Sequence, residues 1–490
     1  MRRKSMAKLI FEMSSEGRKG YTLPKLQVPE KKVSSLISEK FIRKNFARLP
    51  QVSENEALRH FIELSRLNHH IDKGFYPLGS CTMKYNPKIN EDAANNPGLN
   101  SLHPMQSEEL SQGALSLMYE LAEYLKEISG LKEVTLQPAA GAHGELAGLM
   151  LIRAYHENQG NPRENILIPD SAHGTNPASV TIAGYKSVQI KSDENGLVDL
   201  EDLKKHLDEN TAALMLTNPS TLGIFETQLQ EINELLENVG ALLYMDGANL
   251  NALLGIVRPG DIGVDVLHFN LHKTFSTPHG GGGPGAGPVG VSDKLIDFLP
   301  VPKIKKEKDT FKLEYNVPKS IGRIHSFYGN FSVLVRAYVY IRMLGSKGLK
   351  RVSENAIINA NYLKERLINH FQLPYKSTPM HEFVFSGSKL KEKGVSTLDL
   401  AKRLLDYGFH APTIYFPLIV NEAIMIEPTE TETKETLDKF ADTMIQITTE
   451  IEENPDIVRN APHKTPVSRL DEVKAIKEPD IRFQFKKVTG

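Results

Sequence analysis

The sequence predicts an α/β fold built around a mainly parallel, doubly wound β-sheet. Short apolar runs alternate along the middle of the chain with stretches of helical spacing, and polar or small residues follow each run. Unbroken apolar runs of this length are typical of strands that are buried on both faces, and the strand–helix alternation favours parallel pairing. The predicted strands of this sheet are residues 165–169, 187–190, 212–217, 242–245 and 264–269.

Residues 1–100 predict an arm with helical pieces. Prolines interrupt its first half, and residues 53–68 predict a helix that Ser53 caps, with Glu56 three residues later completing a capping box. Residues 74–87, GFYPLGSCTMKYNP, contain too much glycine and proline for a regular element. Such a loop either lines a binding site or is simply a packed arm.

Residues 101–345 are predicted to form the large domain that contains the sheet. A lysine-rich run at residues 301–312 indicates a solvated face or, as the alternative, a docking surface for an acidic carrier protein. One further short strand is expected at residues 131–135. Helices are expected at residues 107–128, 145–155, 198–206, 228–238 and 331–344, with another beginning at residue 178.

Residues 346–490 predict a smaller C-terminal α+β domain followed by a tail. From residue 454 onward proline and charged residues dominate, so the tail is expected to lie on the surface of this chain or of a partner. The predicted strands of the small domain are residues 382–386 and 423–426, and its predicted helices are residues 348–370, 397–407 and 430–452.

Composition and charge are those of an ordinary globular protein. Of the 490 residues 40% are hydrophobic and 24% are charged, and the formal net charge of −1 gives no reason to expect binding to nucleic acid or to a membrane surface. No apolar run reaches transmembrane length, and the basic N-terminus lacks the apolar core of a signal peptide. The single cysteine, Cys81, excludes a disulfide within the chain and is typical of a reducing compartment. We therefore predict a cytoplasmic protein.

Asp246 and Lys273 are the first candidates for chemistry. Asp246 ends one predicted strand, and Lys273 lies just past the end of another. Because ligands in open α/β sheets bind at the carboxyl ends of the strands, both side chains are expected to face one crevice. The pair suits pyridoxal 5′-phosphate (PLP): the lysine forms a Schiff base with its aldehyde, and the carboxylate keeps its pyridine nitrogen protonated. The alternative is a solvated lysine and an ordinary aspartate at a strand end, but the apolar surroundings favour the cofactor.

Other groups at the same edge complete the predicted cofactor site. A run of small residues opens a helix, where backbone N–H groups and the helix dipole favour a phosphate. Polar side chains follow the strand at residues 212–217, and two more lie beside Lys273. The predicted cofactor-binding residues are therefore Asp246, Ala140, Gly141, Ala142, Asn218, Thr221, Asn270 and His272.

The glycine-rich loop at residues 280–287 matches neither a Walker loop nor a dinucleotide fingerprint. No Gly-Lys-Ser/Thr follows it, and no helix opens from it. Its glycines are predicted to let the backbone pass close to the cofactor or to a neighbouring chain. No group of residues has metal-ligand spacing, so no metal is predicted.

Several stretches together carry a resemblance to a known family. They resemble the glycine-cleavage P-protein, the PLP-dependent glycine decarboxylase, and the chain length is similar to that of the second of two subunits in organisms that split this enzyme. The stretches are the segment 241–291 with its lysine, GFYPLGSCTMKYNP (74–87), LQPAAGAHGELAGL (136–149), DSAHGTNPAS (170–179) and EPTETETKETLD (427–438).

The resemblance implies a PLP-dependent transferase-like fold of fold type I and a role for several residues. His173 is implied to stack on the pyridine face, and Ala140 stands where the family often has a hydroxyl residue. Arg323 is a separate candidate, because a guanidinium suits an anion such as a substrate carboxylate or the cofactor phosphate. The implied active-site neighbours are Tyr76, Ser80, Cys81, Thr82 and Lys84.

The reaction that the resemblance implies is decarboxylation of glycine, with transfer of the aminomethyl group to the lipoyl group of a carrier, the H-protein. The implied partners are a homologous subunit 1, in a heterotetramer of two subunit types, and the lipoylated carrier. Two alternatives remain: another fold-type-I PLP enzyme, such as an amino-acid decarboxylase or aminotransferase, and a non-catalytic structural subunit. Lys273 favours the catalytic half of the split enzyme.

Overall fold

The computed structural model describes residues 7–45, 47–281 and 283–483. By its internal contacts the chain divides into two units, one formed by residues 74–462 and the other by residues 1–73 with residues 463–490. This division differs from boundaries at residues 100 and 345, and the three-part division into arm, large domain and small domain stays a prediction. The candidate site lies within the unit of residues 74–462.

The unit of residues 1–73 and 463–490 contains two α-helices within its described residues, α1 (Glu54–Ser65) and α14 (Glu472–Lys477). The predicted capping box begins α1, because Glu56 Oε2 accepts the backbone N–H of Ser53 at 3.0 Å. Short 3₁₀ turns account for the other regular structure of this unit, at Ile10–Glu12, Val33–Ser35 and Glu39–Phe41.

The centre of the second unit is a seven-stranded sheet with the strand order β1-β7-β6-β5-β4-β2-β3. Five neighbouring strands, from β6 to β3, pair in parallel, and β7 runs antiparallel to both of its neighbours. The predicted mainly parallel sheet is therefore confirmed. The strands are β1 (Glu133–Thr135), β2 (Asn165–Pro169), β3 (Lys186–Ile190), β4 (Thr211–Thr217), β5 (Leu242–Gly247), β6 (Val266–Phe269) and β7 (Val289–Val291).

Helices cover both faces of this sheet, so its central strands are buried on both sides. Along β5, Leu243 and Met245 belong to one hydrophobic core, whereas Leu242 and Tyr244 belong to another. This alternation explains the unbroken apolar run, since successive side chains of a strand point to opposite faces. The helices of the region are α2 (Lys88–Ala94), α3 (Pro97–Asn100), α4 (Gln112–Ser129), α5 (Gly141–Asn158), α6 (Thr175–Ile182), α7 (Leu200–His206) and α8 (Leu229–Val239).

A long helix, α9 (Phe331–Leu367), leads from the large sheet to a small three-stranded sheet. Gly345 interrupts it with φ 60° and ψ −177°, so the predicted break between two helices is present as a kink. The small sheet has the order β10-β12-β11 and a hydrophobic core of its own. Its elements are β10 (Phe383–Ser386), α10 (Ser388–Glu392), α11 (Thr397–Asp406), β11 (Thr413–Ile414), β12 (Ala423–Ile426), α12 (Lys434–Glu453) and α13 (Pro455–Arg459).

The lysine-rich run forms a hairpin, β8 (Lys303–Glu307) with β9 (Thr310–Glu314), that the sequence did not predict. Its lysines pair within the hairpin: Lys305 with Glu314 at 2.5 Å and Lys312 with Glu307 at 2.7 Å. A cavity of about 550 Å³ beside β8 is lined by lysines and carboxylates alike. This mixture of charges favours a solvated face, and docking of an acidic carrier here stays a prediction. Among the described residues, no helix is long and apolar enough to cross a membrane.

Candidate active site

Asp246 and Lys273 lie at the same edge of the large sheet. Asp246 is near the carboxyl end of β5, directly opposite His268 of the neighbouring strand β6. Lys273 follows in the turn after β6, and its Nζ donates a hydrogen bond to the carbonyl oxygen of Ser80 at 2.8 Å. The crevice that the sequence predicts is therefore formed by two adjacent parallel strands.

The Asp246 carboxylate is buried, and each of its two oxygens accepts a hydrogen bond. Its Oδ2 accepts from Asn176 Nδ2 at 2.9 Å, and its Oδ1 accepts from the backbone N–H of Ala248 at 2.8 Å. Burial acts to raise the pKa of Asp246, but His268, Asn176 and the charge of Lys273 outweigh burial and hold it below its ordinary value. Asp246 is consequently ionised at neutral pH.

A buried chain of polar groups behind Asp246 was missed at the sequence level. His268 Nε2 lies 3.2 Å from Asp246 Oδ1, and its Nδ1 lies 2.8 Å from the hydroxyl of Tyr244. On α5, the buried carboxylate of Glu145 accepts hydrogen bonds from Thr175 and Ser179 at 2.9 and 2.8 Å. One signal of this polar chain was present in the sequence. His268 lies inside the otherwise apolar strand β6, and a buried histidine needs a hydrogen-bond partner.

His173 lies on the loop after β2, at the same edge as Lys273. Its Nδ1 accepts the backbone N–H of Thr175 at 3.2 Å, and its ring meets Phe416 edge-on at a centroid distance of 5.4 Å. Burial lowers the pKa of His173, and the positive charge of Lys273 lowers it further. The imidazole is therefore uncharged at neutral pH. Its stacking on a cofactor ring stays a prediction.

The predicted phosphate turn forms the first turn of α5. Ala140 is the N-cap residue, and Gly141 is the first helical residue. An α-helix leaves its first N–H groups without partners inside the helix, so this end suits an anion. The glycine-rich loop packs against the same turn: a Cβ on Gly287 would lie 2.1 Å from the carbonyl oxygen of Ala140. These glycines therefore permit a close approach to the backbone of the same chain.

The other predicted cofactor residues surround the crevice with polar groups. Asn218 is buried, and its Nδ2 has no hydrogen-bond partner among the described residues. Thr221 donates its hydroxyl to the carbonyl of Ser171. Asn270 Nδ2 lies 3.0 Å from His268 Nε2. Burial lowers the pKa of His272 to about 3, and the neighbouring His279 contributes to this shift.

The loop predicted to adjoin the substrate contains a strained turn at residues 80–82. Ser80 and Thr82 adopt positive φ angles of 63° and 47°, which cost about 1–2 kcal/mol each for residues other than glycine. Two buried carboxylates offset this cost. Glu382 Oε2 accepts the Ser80 N–H at 2.6 Å, and Glu427 Oε2 accepts the Thr82 N–H at 2.8 Å. Cys81 lies between them, and burial raises the pKa of its thiol.

The remaining predicted substrate residues have different surroundings. The ring of Tyr76 packs against that of His410 at a centroid distance of 4.1 Å, with the two planes tilted by 32°. Lys84 is buried and ion-paired with Glu430, so its ammonium already has protein partners. Arg323 is exposed, and its Nη1 lies 3.5 Å from the carbonyl oxygen of Ser326. The roles of all these residues toward a substrate stay predictions.

The crevice residues fit the chemistry of PLP. An amine, an ionised carboxylate and an uncharged ring surround it, and a helix begins at its edge. Two buried polar atoms, Asn218 Nδ2 and Thr274 Oγ1, have no hydrogen-bond partner in the described part of the chain and leave donors for a polar ligand. This donor set suits a cofactor that carries an aldehyde, a ring nitrogen and a phosphate.

Solved structures share the fold. A glycine decarboxylase (P-protein) of the glycine cleavage system aligns with a TM-score of 0.72 and 19% identity, covering 85% of this chain and 94% of that one. The glutamate decarboxylase of Lactobacillus brevis aligns with a TM-score of 0.65 and 14% identity, covering 86% and 98%. The chain therefore has the fold of the fold-type-I PLP enzymes, as predicted.

Sequence relatives identify the family within that class. A family described as "Glycine cleavage system P-protein" matches residues 26–313, and "Glycine dehydrogenase, C-terminal domain" matches residues 352–465. A "Probable glycine dehydrogenase (decarboxylating) subunit 2" of Chloroherpeton thalassium is 64% identical over 479 residues, 97% of each chain. The protein of that name from Bacillus licheniformis is 59% identical over 477 residues, 97% of this chain and 98% of its own. The chain belongs to the glycine cleavage system P-protein family.

Proposed function

We propose that this chain carries the PLP-dependent active site of a split glycine dehydrogenase and decarboxylates glycine. The observation that supports this most is that the Lys273 amine and the ionised Asp246 carboxylate lie at the same edge of the large sheet, close enough for the charge of Lys273 to lower the pKa of Asp246. Its relatives of nearly equal length bear the name of that enzyme's subunit 2. The product is an aminomethyl group transferred to the lipoyl arm of a carrier protein, together with carbon dioxide.

Four groups of this chain would hold the cofactor. Lys273 would hold its aldehyde carbon, Asp246 its ring nitrogen, His173 one face of the ring and the first turn of α5 its phosphate. When bound, PLP supplies an electron sink for the electron pair that remains when carbon dioxide departs.

Asp246 keeps a proton on the ring nitrogen. Because its pKa lies below the ordinary value, the carboxylate remains ionised across the neutral range and presents a fixed negative charge. Asn176 and the N–H of Ala248 fix its orientation. His268 and Tyr244 extend the same hydrogen-bonded chain into the core and exclude water from behind it.

Lys273 presents its Nζ at the edge of the sheet. The carbonyl of Ser80 accepts a hydrogen bond from this nitrogen and keeps it near the strand edge. His173 is uncharged, because burial and Lys273 lower its pKa, so it does not add a second positive charge beside the amine. An uncharged imidazole also suits contact with an aromatic ring face.

The decisive experiment is exchange of labelled bicarbonate into glycine. Purified chain, PLP and lipoylated carrier are assayed with and without the homologous subunit 1, and the Lys273→Ala variant serves as the matched control. We expect exchange with the partner present and none with the variant, although the variant still assembles. Full exchange by Lys273→Ala overturns the mechanism. PLP binding without exchange, but with amino-group transfer from another amino acid, favours the aminotransferase alternative.

A further inference from the structure

The strained turn beside Lys273 is held by two carboxylates from the small sheet region. Ser80 donates its N–H to Glu382 and Thr82 donates its N–H to Glu427, at 2.6 and 2.8 Å. The carbonyl of Ser80, in turn, accepts the hydrogen bond from Lys273. The chain of contacts therefore runs from a carboxyl pair, through one turn of backbone, to the candidate catalytic amine.

The two carboxyl groups are close to each other and sealed from solvent. One oxygen of each lies within 4.8 Å of the other and of a ring nitrogen of His381. Glu382, Glu427 and His381 have relative exposures of 0%, 1% and 0%. Glu427 Oε1 and both nitrogens of His381 have no hydrogen-bond partner among the described residues. Two carboxylates this close in a dry environment do not both ionise, because like charges repel strongly there.

Among the described residues one cation, Lys273, acts on both carboxylates, and a single positive charge cannot neutralise two negative charges. Burial lowers the pKa of His381 to about 3, so its ring is uncharged. Burial raises the pKa of Glu427 to about 7 and that of Glu382 well above its ordinary value, with Glu427 raising the latter further. The other charged or titratable groups that act on the pair are Lys273, Cys81 and Glu430, of which Glu430 is bound to Lys84.

We propose that Glu382 and Glu427 are positioning residues that share one proton and hold a single negative charge against the turn that orients Lys273. The shared proton keeps both carboxyl groups in place as acceptors of the turn, while the remaining charge balances the lysine ammonium. The role toward Lys273 rests on the proposed function, whereas the shared proton does not. Replacement of one member by glutamine mimics its protonated form and leaves the charge unchanged.

Cys81 provides a readout that needs neither cofactor nor activity, since it is the only cysteine of the sequence and lies inside the turn. Its alkylation rate is measured at about pH 8 in the full chain, where the rate follows the thiolate fraction. Both carboxylates raise the pKa of this thiol. We expect Glu382→Gln and Glu427→Gln each to change the rate less than about twofold, and the double variant to increase it about tenfold. Glu435→Gln, on the exposed face of α12, is the matched control.

Additive effects of the two single variants would mean two separate charges and would overturn the proposal. An unchanged rate in the double variant would mean that the pair carries no charge, which also overturns it. Infrared spectra of the wild-type chain and the two single variants supply a test that does not depend on the double variant folding. The infrared carbonyl stretch of a protonated carboxyl group should weaken equally in both single variants. Loss in Glu382→Gln alone would assign the proton to one residue and contradict sharing.

Two further measurements separate this inference from its rivals. Elemental analysis of the purified chain tests whether a divalent ion occupies the His381, Glu382 and Glu427 cluster, and a stoichiometric ion would overturn the shared proton.

In the PLP-loaded chain, the pH midpoint of the visible absorption band should stay within about 0.3 unit in each single variant and fall by about one unit in the double variant. If the wild-type chain forms no such band, the proposed function fails, whereas the thiol and infrared results still decide the shared proton.

Discussion

Lys84 carries a positive charge in the interior next to the candidate site. Its Nζ donates to Glu430 Oε1 at 2.7 Å, to Asn251 Oδ1 at 2.8 Å and to the carbonyl of Thr274 at 2.8 Å, and lies 3.0 Å from the hydroxyl of Tyr340. The side-chain exposures of Lys84 and Glu430 are 1% and 8%. A buried ion pair contributes little compared with an apolar pair, but the loss of one partner leaves the other charge uncompensated.

The variant Lys84→Met is therefore expected to lower the free energy of unfolding by about 3–5 kcal/mol. Denaturant unfolding measures this change. The control is the double variant Lys84→Met/Glu430→Leu, which removes both charges. It should recover most of the loss, and strictly additive effects would contradict the interpretation as a buried pair.

The negative charge of Asp246 can be tested separately from the other features of the candidate site. Asp246→Asn keeps the size of the side chain and an acceptor for the Ala248 N–H, but it removes the negative charge that holds a proton on the cofactor ring. We expect bicarbonate exchange to fall at least about 100-fold with PLP still bound. The exposed Asp309→Asn serves as the control, and equal exchange in both variants would exclude the proposed role.

At the scale of elements, α5 and the sheet approach each other at Gly148. A Cβ at this position would lie 2.5 Å from Tyr244 Cε2 and 2.9 Å from Val266 Cγ1, both on strands under the helix. Because Tyr244 is bound to His268 through its hydroxyl, its ring cannot move away without disturbing the chain behind Asp246. The position of α5 thus determines both the packing of the sheet and the place of the phosphate turn.

Gly148→Ala should therefore destabilise the fold by about 1–3 kcal/mol through overpacking. The contrasting control is Gly113→Ala in the first turn of α4, where a Cβ meets nothing within 4 Å. That variant should stabilise the fold by about 0.4–1 kcal/mol, because alanine lowers the entropy of the unfolded chain. Thermal unfolding of the two variants compares them directly, and equal effects would refute the close-packing argument.

His156 couples α5 to the sheet in a pH-dependent manner. Its Nε2 lies 2.9 Å from the carbonyl oxygen of Ala212 on β4, and burial lowers its pKa from 6.5 to about 4. Between these pH values His156 is protonated in the unfolded chain and uncharged in the folded chain. The free energy of unfolding therefore falls as the pH decreases from about 6.5 to about 4. His156→Gln keeps a donor for the carbonyl but does not titrate. Its unfolding free energy should fall less than that of the wild type over this range, and parallel curves would contradict the prediction.

Elements with a strong local pattern were predictable, and elements defined by their pairing were not. The predicted strand at residues 165–169 coincides with β2, because a short run of buried apolar residues is typical of a central strand in a parallel sheet. The hairpin of β8 and β9 was missed, because its many lysines are typical of a solvated segment. The antiparallel strand β7 has only three residues after a glycine-rich loop, and its pairing with β6 cannot be read locally.

At the scale of the whole molecule, the same limit explains what was missed in the site. Lys273 and Asp246 stand out locally, because each follows an apolar strand. The hydrogen bonds that hold the turn at residues 80–82 join residues 302 and 345 positions apart in the chain. A sequence without its fold gives no signal that Glu382 and Glu427 meet. The contact between these two carboxyl groups and the turn is formed only in the folded chain, where the small sheet meets the loop.

The chain as a whole is proposed to work as one of two subunit types. It matches over 97% of the length of a relative named as subunit 2, and that name implies a second type of subunit. If subunit 1 is required in equal number, bicarbonate exchange should rise with added subunit 1 and level off at about one partner per chain. The Lys273→Ala chain should compete for a limiting amount of subunit 1 and reduce exchange in proportion to its share, because it assembles without reacting. Exchange that is independent of subunit 1, or unaffected by the inactive chain, would mean that this chain acts alone.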